Sequence, residues 1–259
     1  MRFSHPTSSF CGAAALPGRI GSRVVDQAHL QIAIDGPVAS GKTTVARATA
    51  QHLRVLYLDT GAMYRALTYL ALRTGTDADN GAALARLATI TPVEVVLDES
   101  APLGFRISAG GRELDESALQ TNEVTATVSA VAAHADVRAV MVAAQRQIAG
   151  KGSVVMAGRD IGSVVLPNAP VKIYLTASLE DRIARRRMQL EKAGVDVDVH
   201  RLADEIEERD RLDRTRAISP LAPAPDAHII DSSKMDVEGV VAEICAIVVR
   251  SLRTGFDQG

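Results

Sequence analysis

Two stretches of this chain combine residue types at spacings that do chemistry. GPVASGKT (36–43) has the form G-x-x-x-x-G-K-T, and RDRLDRTR (209–216) places four arginines and two aspartates in eight residues. In the first, glycines accept dihedrals that other residues avoid, so successive backbone N–H groups can turn inward around phosphate oxygens. The helix that follows adds its positive end. In such a loop Lys42 reaches the β- and γ-phosphates, and the Thr43 hydroxyl is the metal ligand for Mg²⁺. In the second stretch Arg209, Asp213 and Arg216 fall at i, i+4 and i+7 on one helical face, while Arg211 and Arg214 point elsewhere. A carboxylate between two guanidinium groups suits a sugar hydroxyl beside a phosphate, and equally an ordinary surface ion-pair ladder.

Two further arginines stand where apolar runs end. LDTGAMYRA (58–66) carries Asp59, Thr60 and Arg65, and AGRDIGS (157–163) carries Arg159 and Asp160. In a parallel sheet, ligands collect outside the carboxyl ends of the strands, so both arginines should face the crevice of the glycine loop. Between them and the final cluster, Ser178 with Asp181 three residues on approximates a helix-capping box. The helix so started places Arg182, Arg185 and Arg186 on one side.

The formal net charge is −2, so general attraction to nucleic acid does not explain the arginines. Of 29 basic residues 24 are Arg and 5 are Lys, and nine of the arginines fall between 182 and 216. That clustering calls for a local cause. Aromatic residues make up 3% of the chain and Trp is absent, which removes the stacking platforms of a single-strand nucleic-acid binder. A nucleotide-dependent RNA-binding protein is therefore the weaker reading, and the GTPase element N-K-x-D is missing. Two cysteines, Cys11 and Cys245, offer neither a disulfide framework nor zinc spacing, which points to a reducing cytoplasm. No apolar stretch reaches the ~20 residues of a membrane span.

The elements that must hold these groups are legible as punctuation. QIAID (31–35), VLYLD (55–59), SVVMA (153–157), VKIYLTA (171–177) and AHIID (227–231) are short apolar runs separated by helical segments. The expected fold is α/β, a five-stranded parallel sheet flanked by helices. Helices are expected over 43–53, from about 62 to Gly75, over 121–133 and over 136–149. VEVVL, GFRIS and GRELD (93–115) break the rhythm and read as a small antiparallel insert. Residues 1–30 show no periodicity and no acid before Asp26, and read as a flexible extension.

Taken together, GPVASGKTT, LDTGAMYR, AGRDIGSVVLPNAPVKIYLTAS and EERDRLDRTRAISPL resemble the signatures of bacterial-type cytidylate kinases, from about Ile32 to Val249. The resemblance implies a P-loop kinase core over 31–253, a monophosphate-binding insert at 90–118, a helical lid at 182–216 and a short tail at 254–259. It implies transfer of the γ-phosphoryl of ATP, with Mg²⁺, to CMP or dCMP, by a cytoplasmic monomer without nucleic-acid or membrane partners. Another small-molecule P-loop kinase is the alternative. By the same resemblance Gly36, Pro37, Val38, Ala39, Ser40, Gly41, Lys42, Thr43 and Thr44 bind ATP. Arg65 and Arg159 hold the acceptor phosphate, Thr60, Asp160 and Arg216 lie near it or the base, and Arg209 with Asp213 meets the ribose. Lys42, Arg159, Arg185 and Arg186 are the expected catalytic cations, the last two arriving with the lid. One departure stands out: before TNEV the family usually has a base-reading arginine, and this chain has Gln120. Ser163, where Thr is usual, is a milder change.

Overall fold

The computed structural model describes residues 30–98, 105–192, 194–216 and 218–254; the expected extension up to residue 29 and the tail beyond Thr254 lie outside the described residues. The chain runs β1 (Gln31–Asp35), α1 (Lys42–Leu53), β2 (Leu56–Asp59), α2 (Thr60–Thr74) and α3 (Gly81–Ile90). It continues through β3 (Val93–Leu97), β4 (Phe105–Ala109) and β5 (Arg112–Glu113) to α4 (Asn122–Ala133) and α5 (Ala135–Ala149). Then follow β6 (Val154–Gly158), β7 (Val171–Thr176), α6 (Leu179–Lys192), α7 (Val199–Thr215), β8 (His228–Asp231) and α8 (Val237–Thr254).

The five apolar runs form one sheet in the order β2-β6-β1-β7-β8, every neighbour parallel. Burial on both faces explains why β1, β2, β6 and β7 read as continuous apolar runs rather than alternating ones, whereas β8, at the edge, leaves Ile229 exposed. Ile32, Ala33 and Ile34 of β1 and Val154, Val155 and Met156 of β6 are fully buried. Helices α1 and α8 pack on each other and on the sheet, while α2 to α5 form a second group in mutual contact. From β1 the chain places β2 and β6 to one side and β7 and β8 to the other. The crevice beside β1 is thus bordered by the carboxyl ends of β1, β2 and β6, the three strands that lead into the expected site residues.

The meander of 93–115 is a separate antiparallel sheet, β3-β4-β5. Its Phe105 ring lies 5.7 Å from that of Tyr57 on β2, which ties the insert to the main sheet. Two elements were not legible beforehand. Helix α3 starts at Gly81 with the Asn80 side chain accepting from the Ala83 N–H at 3.0 Å. A π-helical turn occupies Ile161–Val165, immediately after Arg159 and Asp160.

Tight contacts fix the strand ends. A Cβ on Gly36 would meet the Leu175 carbonyl oxygen at 2.0 Å, so the glycine loop leaves β1 pressed against β7. A Cβ on Gly158 would meet the Thr60 hydroxyl at 2.6 Å and Ile161 at 2.6 Å. Gly158 therefore lets the ends of β6 and β2 come together. Gly158→Ala should lower stability by roughly 1–3 kcal/mol through overpacking, measured by urea denaturation; an unchanged midpoint would show that this junction yields.

Candidate active site

The glycine loop occupies the link between β1 and α1. Gly41 takes a left-handed conformation (φ 90°) just before the helix, and Thr43 and Thr44 are exposed in its first turn. Lys42 is 7% exposed and folds back under the loop, its ammonium donating to the Pro37 carbonyl and, at 3.3 Å, to the Ser40 hydroxyl. Burial, then the neighbouring Arg159 guanidinium, pushes the Lys42 ammonium well below its usual range.

Around Lys42 the strand ends and α7 assemble their charges. Asp59 caps α2, accepting from the Gly61 N–H at 2.9 Å, and its second oxygen accepts from Arg65 at 3.2 Å. A cap residue thereby orients an arginine six positions on. Arg159 donates to Asp213 of α7 at 2.7 Å. Arg209 has its acidity raised to a pKa of about 10, by burial first and then by Arg159, Arg65 and Arg186. Arg186 is likewise lowered by burial and by Arg65. Five cations, Lys42, Arg65, Arg159, Arg186 and Arg209, share four carboxylates, Asp35, Asp59, Asp213 and, beside Arg186, Glu205. Burial pushes the Asp213 carboxyl up, but Arg159, Arg209 and Arg216 outweigh it and hold it below the usual carboxylate range. Buried Nε atoms of Arg65 and Arg209 meet no acceptor among the described residues.

A second group lies at the Asp160 end of the crevice. Asp160 is 5% exposed and accepts from Arg138 of α5, itself 4% exposed. Arg216 approaches the other Asp160 oxygen at 3.9 Å, and the Arg138 guanidinium lies 5.7 Å from the Tyr64 ring centre. Burial, then Arg138, pushes Arg216 below its usual range. Arg216 lies one residue beyond α7, which ends at Thr215, in extended backbone (φ −60°, ψ 139°), and still acts on Asp213. Leaving the helix turns its side chain toward Asp160, and its Nε donates to the Ser219 carbonyl.

The other expected residues divide. The Thr60 hydroxyl donates to the Ala157 carbonyl at 2.9 Å, closing the β2–β6 junction. Arg185, expected to arrive with the lid, already donates to the Ser40 carbonyl at 3.3 Å and to Ser232 at 2.6 and 2.9 Å, on the outer wall of the glycine loop. Gln120 is exposed in a 3-10 turn (Ala118–Gln120), with its amide donating to Glu116 of the same segment at 2.9 Å. Ser163 is exposed in the π turn.

Three residues that sequence reasoning passed over belong here. Arg138 sits among Val137, Met141 and Val142, and a charge on that apolar face was the available signal. Asp210 stood in view within RDRLDRTR, but its partner Arg182 is 28 residues away. Asp35 closes an otherwise apolar strand, and its two carboxylate oxygens accept from the Ile161 and Gly162 N–H groups, each at 2.7 Å. That clamp holds the turn after Arg159 and Asp160 against the strand that leads into the glycine loop.

This arrangement of a buried anion cradle beside excess guanidinium accords with the comparisons. A family profile described as cytidylate kinase matches residues 32–250. The chain belongs to the cytidylate kinase family. A protein named cytidylate kinase from Pelotomaculum thermopropionicum is 49% identical over 217 residues, 84% of this chain and 95% of its own. One from Exiguobacterium sibiricum is 44% identical over 224 residues, 86% of this chain and 99% of its own. A crystal structure of an uncharacterized protein from Eubacterium ventriosum has a TM-score of 0.50 at 16% identity, covering 86% of this chain and 99% of that one. At that identity it speaks for the fold alone. Among the described residues no single helix of this cytidylate kinase family member is long and apolar enough to cross a membrane.

The Asp35 clamp generates a pH-dependent expectation. Burial pushes its carboxyl up to about 6, with the Gly162 and Ile161 N–H groups and Lys42 opposing and Asp160 adding to the rise. A carboxyl whose folded pKa exceeds its unfolded value stabilises the fold fully below the unfolded pKa, and that contribution is lost as pH rises through the folded one. Between about pH 4 and pH 7, Asp35→Asn, which does not titrate, should gain up to ~3 kcal/mol of stability relative to the unaltered chain. Denaturant midpoints at both pH values measure this, and a flat difference refutes it.

Proposed function

We propose that this cytidylate kinase family member transfers the γ-phosphoryl group of ATP to the phosphate of CMP or dCMP, giving ADP and CDP or dCDP. The observation that carries this reading is the gathering of Arg65, Arg159, Arg186 and Arg209 beside Lys42 with too few carboxylates to neutralise them. Such a site favours two polyanions brought end to end.

The acceptor is a phosphate oxygen whose second pKa is about 6, so at neutral pH it attacks without a general base. What the reaction needs is positioning, and stabilisation of charge on the transferring group. The loop 36–44 wraps the ATP phosphates with backbone N–H groups, and Lys42 reaches the β- and γ-oxygens once phosphate draws it from Pro37. Arg65, oriented by Asp59, and Arg159, oriented by Asp213, grip the acceptor phosphate; each fork can bind two oxygens. Arg186 and Arg209 spread charge over the group in transit, and Arg185 braces the loop from outside. Thr43 is exposed in the first turn of α1, which fits a hydroxyl ligand for Mg²⁺. Bound with ATP there, the ion neutralises charge on the β- and γ-oxygens.

Asp160 with Arg138 and Arg216 forms the base-reading group. A carboxylate accepts from the cytosine amine, as acidic side chains do in base recognition, and guanidinium nitrogens donate to the ring acceptors. We read the base against Asp160, Arg138 and Arg216 rather than Gln120, with Thr60 in the floor beneath. Asp213 and Arg209 meet the ribose. The insert at 90–118 borders the acceptor, residues 182–216 form the lid, and the enzyme works as a cytoplasmic monomer.

Purified protein with ATP, Mg²⁺ and each of CMP, dCMP, UMP and AMP, followed by ADP release, tests the reading. CMP and dCMP should be the preferred acceptors; equal use of all four would send the assignment to another P-loop kinase. If Asp213 contacts the 2′-hydroxyl, Asp213→Ala should reduce kcat/KM for CMP about tenfold more than for dCMP, the worth of one charged hydrogen bond. Equal losses on both nucleotides would remove it from the sugar.

A further inference from the structure

The crown of the glycine loop is held from outside by a buried ion pair that no step of the transfer uses. The Val38 N–H donates to Asp210 Oδ1 at 3.2 Å, and the Val38 carbonyl accepts from Arg182 at 3.2 Å. Arg182 also donates to Asp210 Oδ2 at 2.5 Å, so the backbone of one residue, the N–H and C=O of Val38, is caught between the two halves of the pair. Arg182 is 6% and Asp210 4% exposed. They come from α6 and α7, the two helices that make up the expected lid segment.

The next residue makes this contact consequential. Ala39 has φ 59°, in the left-handed region, and is one of three non-glycine residues with positive φ among those described. An L-residue with a Cβ resists that conformation, which persists only where its surroundings over-determine it. On the far side of Ala39, the Ser40 carbonyl accepts from Arg185 and from the Ser232 hydroxyl, each at 3.3 Å. Ala39 is therefore pinned at the residue before it and the residue after it, by side chains from α6, α7 and the end of β8. An ion pair this buried carries a desolvation cost, and an apolar pair of similar volume is often no less stable. Its use here is geometric.

We propose that Arg182 and Asp210 are positioning residues that hold the phosphate loop, through Val38, in the shape Ala39 resists, so that the base of the lid sets the affinity for the phosphoryl donor. This rests on the reading that loop 36–44 binds ATP. Freed from the clamp, Ala39 relaxes toward ordinary dihedrals, and ATP must restore the loop each time it binds.

The test is a cycle between Arg182→Met/Asp210→Leu and Ala39→Gly in the full chain, with KM for ATP, KM for CMP and the thermal midpoint measured for each. The apolar pair removes both charges together, so the midpoint should hold. KM for ATP should rise about tenfold, with a smaller change in KM for CMP. Adding Ala39→Gly should recover about fivefold of the ATP effect, the scale of one left-handed penalty, and its effect should be several-fold larger in this background than in the unaltered chain. An unchanged KM for ATP, or a glycine effect equal in both backgrounds, overturns the clamp. Should the apolar pair fail to fold, Arg182→Lys runs the same cycle, since it keeps a charge for Asp210 but loses the fork that reaches Val38. Lys42→Met separates the two readings: activity that survives it takes ATP away from this loop, whereas a Lys42-dependent enzyme with a flat cycle refutes the clamp alone.

Discussion

Repulsion among buried cations is the constraint on which the rest of this structure depends. Lys42 and four arginines outnumber the carboxylates around them, and burial first, then crowding by neighbouring cations, pushes Lys42, Arg186 and Arg209 toward the neutral form. Guanidinium stays charged under such pressure where an amine gives way. That difference explains why arginine rather than lysine fills the positions around the single loop lysine. Folding such a cluster opposes stability, and a bound polyanion reverses the sign of the same interaction.

Holding repelling groups together requires rigid supports, and the fold supplies carboxylates for several of the arginines. Asp59 is at once a helix cap and the partner of Arg65. Asp213 fixes Arg159, and Asp160 lies between Arg138 and Arg216. Asp35 uses no cation; it binds two backbone N–H groups and thereby sets the distance between the glycine loop and the turn after Arg159. Each carboxylate sits at the end of a strand or on α7, so the parallel sheet converts strand order into charge placement.

The start of α6 belongs to this framework more than its spacing implies. Arg182 and Arg185 share a helical side, as counting by threes and fours requires, but both are engaged with the outside of the glycine loop. Only Arg186 of that trio reaches the charge cluster.

Local regularities in the chain were enough to determine the fold class, the five strands within a residue or so, the glycine loop between β1 and α1 and the strand-end positions of Arg65 and Arg159. These rest on short-range physics: apolar runs for buried parallel strands, glycines where backbone must approach a ligand, caps and glycine stops for helices. The antiparallel insert was legible for the same reason, whereas α3 and the π turn carried no comparable local signal. Partnership was decided only by the tertiary structure. Asp35 finds Ile161, Arg138 finds Asp160, and Asp210 finds both Arg182 and Val38, across separations from 22 to 172 residues. Arg216 shows the limit of helical counting, since it lies in extended backbone just past α7 and meets Asp160 as well as Asp213. A charged side chain's role depends on which opposite charge burial brings to it, and burial is a property of the assembled layers rather than of any stretch of sequence.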